Sequence, residues 1–263
     1  MATIVTILLG FAAFFVAGWL CRVNARWVWD YGPDWNAIIV HRYRMNEPLY
    51  PDPFKSLTST VYAPLVLLLA GLIAPLFGHG TLAALAAGRS IVLLSTFAVC
   101  VMIFTLARRF GASRAASLIA VLAFLCSGLL QPWGFEFRVD MPALAFELAA
   151  LLVFQAGYGF AAVVFCVLAF FSKQSSVAAI GAITLFSWLE GRRGRAVALA
   201  ATWLAGVGLL TMLAQWVWPF YLANTVEAVS AGYLDPLAAP EFLWTMILCN
   251  VVSCLANIYR GTS

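Results

Sequence analysis

Apolar blocks separated by short polar turns recur along the whole chain, at about 2–21, 61–78, 89–107, 115–131, 142–156, 159–172, 176–189, 197–214 and 242–257. Their length and unbroken character suit helices. The alternating pattern of barrel strands is absent, so within lipid only helices would satisfy the backbone of these blocks. The pattern predicts an all-α fold, a multi-pass transmembrane helical bundle of about eight spans plus a juxtamembrane or re-entrant helix. No linker rich in Ser, Pro or Gly divides it, so 1–263 reads as one integral-membrane domain. The first block, "ATIVTILLGFAAFFVAGWL", has no basic leader and no small-residue cleavage site, and reads as a retained span.

Composition agrees with this reading. Of 263 residues, 64% are hydrophobic and 10% charged, and the mean hydropathy is +0.96, whereas soluble domains carry about 25% charged residues. The net charge of +4 is spread over short turns, which argues against nucleic acid as a partner. Cys21, Cys100, Cys126, Cys166, Cys249 and Cys254 lie in or beside apolar blocks with no CxxC spacing, so they read as small packing residues.

The turns "RRFGASR" (108–114) and "EGRRGR" (190–195) each hold three Arg and are separated by an even number of blocks, so both fall on one face. Basic turns favour the cytoplasmic side. The loops at 132–141 and 215–241 then lie outside, with Trp133, Trp216, Trp218 and Trp244 near the outer interface. Loop 22–60 is ambiguous. Its five basic residues put it inside if 61–78 crosses fully, and outside if that block, broken by Pro64, Gly71 and Pro75, dips in and returns.

The blocks 142–156 and 159–172 form a hairpin about Gly157-Tyr158-Gly159 whose arms reach only ~22 Å, against a hydrocarbon core of about 30 Å. With that turn at the cytoplasmic interface, Asp140 and Lys173 come side by side at similar depth inside the membrane. Charges there normally face a wet, protein-lined cavity, so the hairpin is expected to floor a recessed polar pocket. The bland alternative pairs Arg138 with Asp140 at an interface while Lys173 snorkels. Glu147, a turn or two below Asp140, reads as a helix–helix hydrogen bond.

Within loop 22–60, Asp34 follows Pro33 as an N-cap to a short amphipathic helix with Trp35, Ile38, Ile39 and Arg42 on one face. That helix is expected to lie along the membrane interface with His41 and Arg44 toward water or headgroups. Zinc, P-loop, dinucleotide and Ser-His-Asp patterns are absent.

The ordered motifs "PD" (33–34), "EPLYPDP" (47–53), "VYAPL" (61–65), "GRSIVLL" (88–94), "ARRFGASRAASL" (107–118), "RVDMPA" (138–143) and "FSKQS" (171–175) resemble those of GT-C membrane glycosyltransferases. The likeness is to the bacterial branch of protein mannosyltransferases and aminoarabinose transferases, and it covers roughly residues 1–215. It implies a plasma (inner) membrane enzyme that moves a sugar from a polyprenyl-phosphate donor to an acceptor hydroxyl on the extracytoplasmic face. The acceptor is a glycan, a lipid or a protein. Loop 22–60 is then extracytoplasmic and 61–78 juxtamembrane or re-entrant. Matched by motif, Asp34 is the catalytic base, Lys173 and Arg138 meet the lipid phosphate, and Asp140 orients them or binds sugar hydroxyls. Tyr62, Arg89 and Gln174 join the substrate-binding set. No resident cofactor is implied; a divalent metal between Asp34 and Asp140 would lack a visible third ligand.

The chain departs from the family where Trp35 replaces the Glu that often follows the first-loop Asp, where "YAP" replaces Tyr-Pro-Pro, and where it stops soon after residue 257. These departures mark a short member. A small-molecule or lipid transporter, with Arg138, Asp140, Glu147 and Lys173 as its path, and a non-catalytic truncated relative are the alternatives.

Overall fold

The computed structural model describes residues 31–53, 55, 56, 60–125 and 134–227, with Thr6, Gly10 and Ala17 besides. The spans expected at 2–21 and 242–257 otherwise lie outside the described residues. Among these the fold is all-helical: α1 (Tyr31–Arg44), α2 (Pro64–Ile73) running on into a 3-10 turn (Ala74–Phe77), α3 (Gly80–Arg109), α4 (Arg114–Leu125), α5 (Asp140–Gln155), α6 (Gly159–Ser172), α7 (Ala178–Leu189) and α8 (Arg193–Val217). A single π-helical turn (Ala223–Glu227) follows.

Within the described residues the expected blocks appear as helices, but their lengths divide them sharply. Among the described residues, two helices, α3 and α8, are long and apolar enough to cross a membrane, with 30 and 25 residues. Helices α5, α6 and α7 have 16, 14 and 12 residues, about 24, 21 and 18 Å against a hydrocarbon core of about 30 Å. The shortness expected of the α5–α6 hairpin thus extends to α7. The polar run Lys173–Ser176 folds instead into turns in which Ser176 N–H donates to the Lys173 carbonyl and Val177 N–H to that of Ser175.

The C-termini of α3, α5 and α7 close identically. Gly111, Gly157 and Gly191 take φ of 85°, 94° and 78°, a left-handed conformation that suits glycine. In each case the glycine N–H bonds back to the carbonyl three residues before it. The next residue's N–H bonds to the carbonyl five before that residue, as Ala112 to Ala107, Tyr158 to Val153 and Arg192 to Ser187. This Schellman pairing satisfies carbonyls that the helix ends would leave open. The three turns share one end of the bundle, because Leu106, Leu151 and Ile183 line one cavity there and the Arg195 guanidinium lies 5.2 Å from the Phe154 ring centroid. The two arginine-rich turns therefore do lie together, as their spacing predicts.

Two apolar clusters result. One joins α5, α6, α7 and α8 through Ala150, Val163, Cys166, Ile180, Ile183 and Leu199. The other joins α1, α2, the first turns of α3 and the 134–139 loop through Val40, Tyr50, Leu67, Leu85, Phe137 and Tyr221. Helix α3 outruns α5 at this second end: Val92 packs beside Met141, so the turns from Gly80 to Arg89 rise past the start of α5. Helix α2 follows those upper turns, turning back at Gly78 and Gly80, both of positive φ.

Helix α1 differs from expectation. It begins at Tyr31, so Asp34 sits within its first turn and not at its cap. It also packs on α2 and α3, with Asn36, Ala37, Ile39 and Val40 buried. Of the expected Trp35/Ile38/Ile39/Arg42 face Ile39 is buried while Trp35, Ile38 and Arg42 are half-buried, and the buried stripe takes in Asn36, Ala37 and Val40 besides. A Cβ on Gly71 would meet the Val40 side chain at 3.8 Å.

Candidate functional site

The junction of the two clusters is polar. Helix α5 begins at Asp140 and α6 ends just before Lys173, and their antiparallel packing joins the two side chains: Lys173 Nζ lies 2.5 Å from Asp140 Oδ1. The Asp140 side chain is 12% exposed and that of Lys173 35%, so the pair is sunk but still reachable. The adjacency expected from equal arm lengths is present. Asp140 pairs with Lys173, so the lysine meets an acid here and does not only snorkel.

The next residue closes one wall. Gln174 donates through Nε2 to the Val61 carbonyl at 3.1 Å, tying the end of α6 to the segment that leads into α2. Tyr62 follows, half-buried against the upper cluster, and its carbonyl accepts the Tyr50 hydroxyl at 2.7 Å. Tyr50 is itself clamped edge-on by Trp218 and Tyr221, with ring centroids at 5.5 and 5.0 Å. Burial, and then the neighbouring Tyr221, hold the Tyr50 phenol well above its ordinary pKa. Asn224 donates to the Pro51 carbonyl at 2.9 Å and fastens the segment after α8 to the same loop. Lys173, Gln174, Tyr62 and Asp140 therefore share one rim.

Beside this rim runs an apolar groove of about 250 Å³ between α2, α6 and α8, lined by Leu65, Leu68, Leu168, Phe171, Leu213 and Trp218. Phe171, one of its wall residues, lies two residues before Lys173, so the groove runs close to the ion pair.

Arg89 is not on the rim. Its guanidinium is paired with Glu136, Nη2 to Oε2 at 3.0 Å, with the two side chains 1% and 3% exposed. A cation so enclosed is unavailable to a ligand, which removes it from the substrate-binding set. Its work is structural. It anchors the 134–139 loop on α3, one turn above Val92, where the Phe137 ring also lies directly on Gly88: a Cβ there would come 2.1 Å from the ring. Asn36 completes the anchorage by donating to the Phe137 carbonyl at 2.9 Å. Glu136, Asn36 and Gly88 are the residues that sequence reasoning passes over. The available signal is an arginine deep in an apolar helix, which demands an acid close by.

Arg138 lies half-buried between this anchor and Asp140, its N–H donating to the Glu136 carbonyl at 2.7 Å. Asp34 is exposed on the first turn of α1, two residues from Asn36. The Asn36–Phe137 bond brings its helix onto the loop that leads to Asp140. Among the described residues no ion pair or hydrogen bond joins Asp34 to Asp140 or Lys173.

Glu147 performs the helix–helix role expected of it. Its Oε1 accepts the N–H groups of Ala178 and Ala179 at 3.0 and 3.3 Å, capping α7 from α5. A carboxylate at a helix N-terminus also meets the positive end of the helix dipole. Among the described residues no group of three or more His, Cys, Asp or Glu gathers as a metal site. Asp140 is committed to Lys173, so the pairing of Asp34 with Asp140 around a divalent ion gains nothing from the geometry. Comparison of the chain with protein-family models, curated proteins and solved structures found no match.

Proposed function

We propose that this chain is a multi-pass inner-membrane glycosyltransferase that passes a sugar from a polyprenyl phosphate to an acceptor hydroxyl at the extracytoplasmic face. The observation that carries the reading is the sunken Asp140–Lys173 pair opening beside an apolar groove. A donor of this class needs a cation for its phosphate and an apolar channel for its tail, within a few ångströms of each other. With the arginine turns at the cytoplasmic interface, α5 carries Asp140 about 22 Å up from Gln155, still below the outer boundary of the hydrocarbon. Helix α2, which follows only the upper turns of α3, then acts as the juxtamembrane helix and loop 22–60 is external.

In this scheme Lys173 binds the donor phosphate and stabilises the charge that develops on it as the glycosidic bond breaks. Asp140 holds the ammonium in place until the phosphate arrives, and Arg138 supplies a second cation. Asp34, carried in by α1, takes the proton of the acceptor hydroxyl. Gln174 and Tyr62 shape the rim. The groove holds the first isoprene units and keeps water from the reacting carbon.

The test uses purified protein in vesicles with a polyprenyl-phosphate sugar and scintillation readout of transfer. Asp34→Asn is expected to lower turnover by about 10²–10⁴-fold with donor binding retained. Lys173→Met is expected to weaken donor binding itself. Transfer at the wild-type rate by Asp34→Asn removes Asp34 as the base. Translocation of an intact solute without bond cleavage supports the transporter reading instead.

A further inference from the structure

The opposite end of the bundle carries a second constellation, about 22 Å from Asp140 along α5 and separate from the site above. A cavity of about 370 Å³ opens between α3, α5 and α7, walled by Leu106, Phe110, Leu151, Phe154, Ile183 and Phe186, with Gln155 the one polar residue in its lining among those described. A space for roughly a dozen water-sized groups with so apolar a wall leaves polar ligands unsatisfied; it suits a hydrocarbon chain. Two arginines flank it. Arg109 donates through Nη1 to the Leu152 carbonyl at 3.0 Å, and the Arg195 guanidinium lies 5.2 Å from the centroid of Phe154, a wall residue. That bond uses one of the five N–H donors of Arg109.

The surrounding charge is one-sided. Arg108, Arg114, Arg192 and Arg193 occupy the adjoining turns, and Glu190 is the acid among them, lying 3.6 Å from Arg192. Arg193 covers the half-exposed Trp188 at 5.2 Å, an aromatic–cation pair of the kind that seats at headgroup level. Apolar cavity and basic rim together match a molecule with a hydrocarbon tail and an anionic head. Basic pockets between membrane helices commonly take such lipids.

We propose that this end binds one anionic glycerophospholipid, an acyl chain lying in the α3–α5–α7 cavity and the phosphodiester held between Arg109 and Arg195. The site rests on the membrane reading but not on glycosyl transfer. Bound there, the lipid would staple three helix ends that the Schellman turns leave side by side.

The experiment is native mass spectrometry of the full chain released from nanodiscs of phosphatidylcholine and phosphatidylglycerol in equal amounts. A diazirine-tailed phosphatidylglycerol is crosslinked in parallel. Wild type is expected to retain a single phosphatidylglycerol in preference to phosphatidylcholine and to be labelled in the peptides holding Leu151 and Ile183. The pair Arg109→Gln/Arg195→Gln should lower that preference by about thirtyfold. The pair Arg108→Gln/Arg114→Gln removes the same charge from the same end and should leave it nearly unchanged. Ala182→Trp, which fills the cavity, should abolish the internal crosslinks while the arginines remain. Equal retention of the two lipids by wild type overturns the proposal, as does an equal loss in both arginine pairs, which would mean a diffuse basic surface. Crosslinks confined to residues 1–30 or 228–263, or to a second copy, overturn it by giving the cavity another occupant. Alkaline carbonate extraction of each variant separates these results from failure to insert.

Discussion

Two ion pairs of the same chemistry do different work because their exposure differs. Arg89–Glu136 is sealed, and Asp140–Lys173 is open on the lysine side. Removing one member of a sealed pair leaves a buried charge uncompensated, at about 3–5 kcal/mol. Glu136→Gln and Arg89→Met are each expected to lower the thermal midpoint in detergent strongly, and Arg89→Met/Glu136→Met to regain much of the loss. A double variant as unstable as the sum of the singles would show that the pair is not coupled. Gly88→Ala should be comparably harmful, since its Cβ would enter the Phe137 ring and lift the loop that sets Arg138 and Asp140. Lys173→Met, by contrast, should change donor binding far more than stability.

The elements are held by their ends. Helices of 12 to 16 residues have little length over which to pack, so the caps carry a larger share. Alanine at Gly157 or Gly191 must take a left-handed conformation, a penalty of about 1–2 kcal/mol each. Glu147→Ala removes the acceptor for two N–H groups at the start of α7, and loss of a cap costs about 0.5–2 kcal/mol. Faster hydrogen exchange confined to residues 178–181 in Glu147→Ala is the expected signature. Exchange spread evenly over all helices would show that the carboxylate does not act locally.

At the scale of the whole molecule the proposals require that α1 and the arginine turns lie on opposite sides of a membrane. Met45 is 65% exposed just after α1 and Phe110 is 77% exposed beside the arginines, so both report without disturbing a core. In a chain stripped of its native cysteines, Met45→Cys should react with an impermeant maleimide in intact cells. Phe110→Cys should react only after permeabilisation. Reaction of both, or of Phe110→Cys alone, would separate Asp34 from the pocket or invert the molecule.

Composition and block pattern alone determine the all-α class, the two arginine turns at one end, the tight Gly157 turn and the meeting of Asp140 with Lys173. Each follows from local rules of helix length, left-handed glycine and the count of residues on two antiparallel arms. The tertiary structure decided what those rules leave open. Arg89 within α3 and Lys173 at the end of α6 are both cations set among apolar residues, and only the path of the 134–139 loop over Gly88 seals one with Glu136 while the other stays accessible. The same holds for α1: its period announced an amphipathic helix, but packing on α2 and α3 buried Asn36 and Val40 beside Ile39 and left Asp34 at the surface. Burial and pairing are set by which distant segments pack together, and a linear pattern records only that some partner is needed.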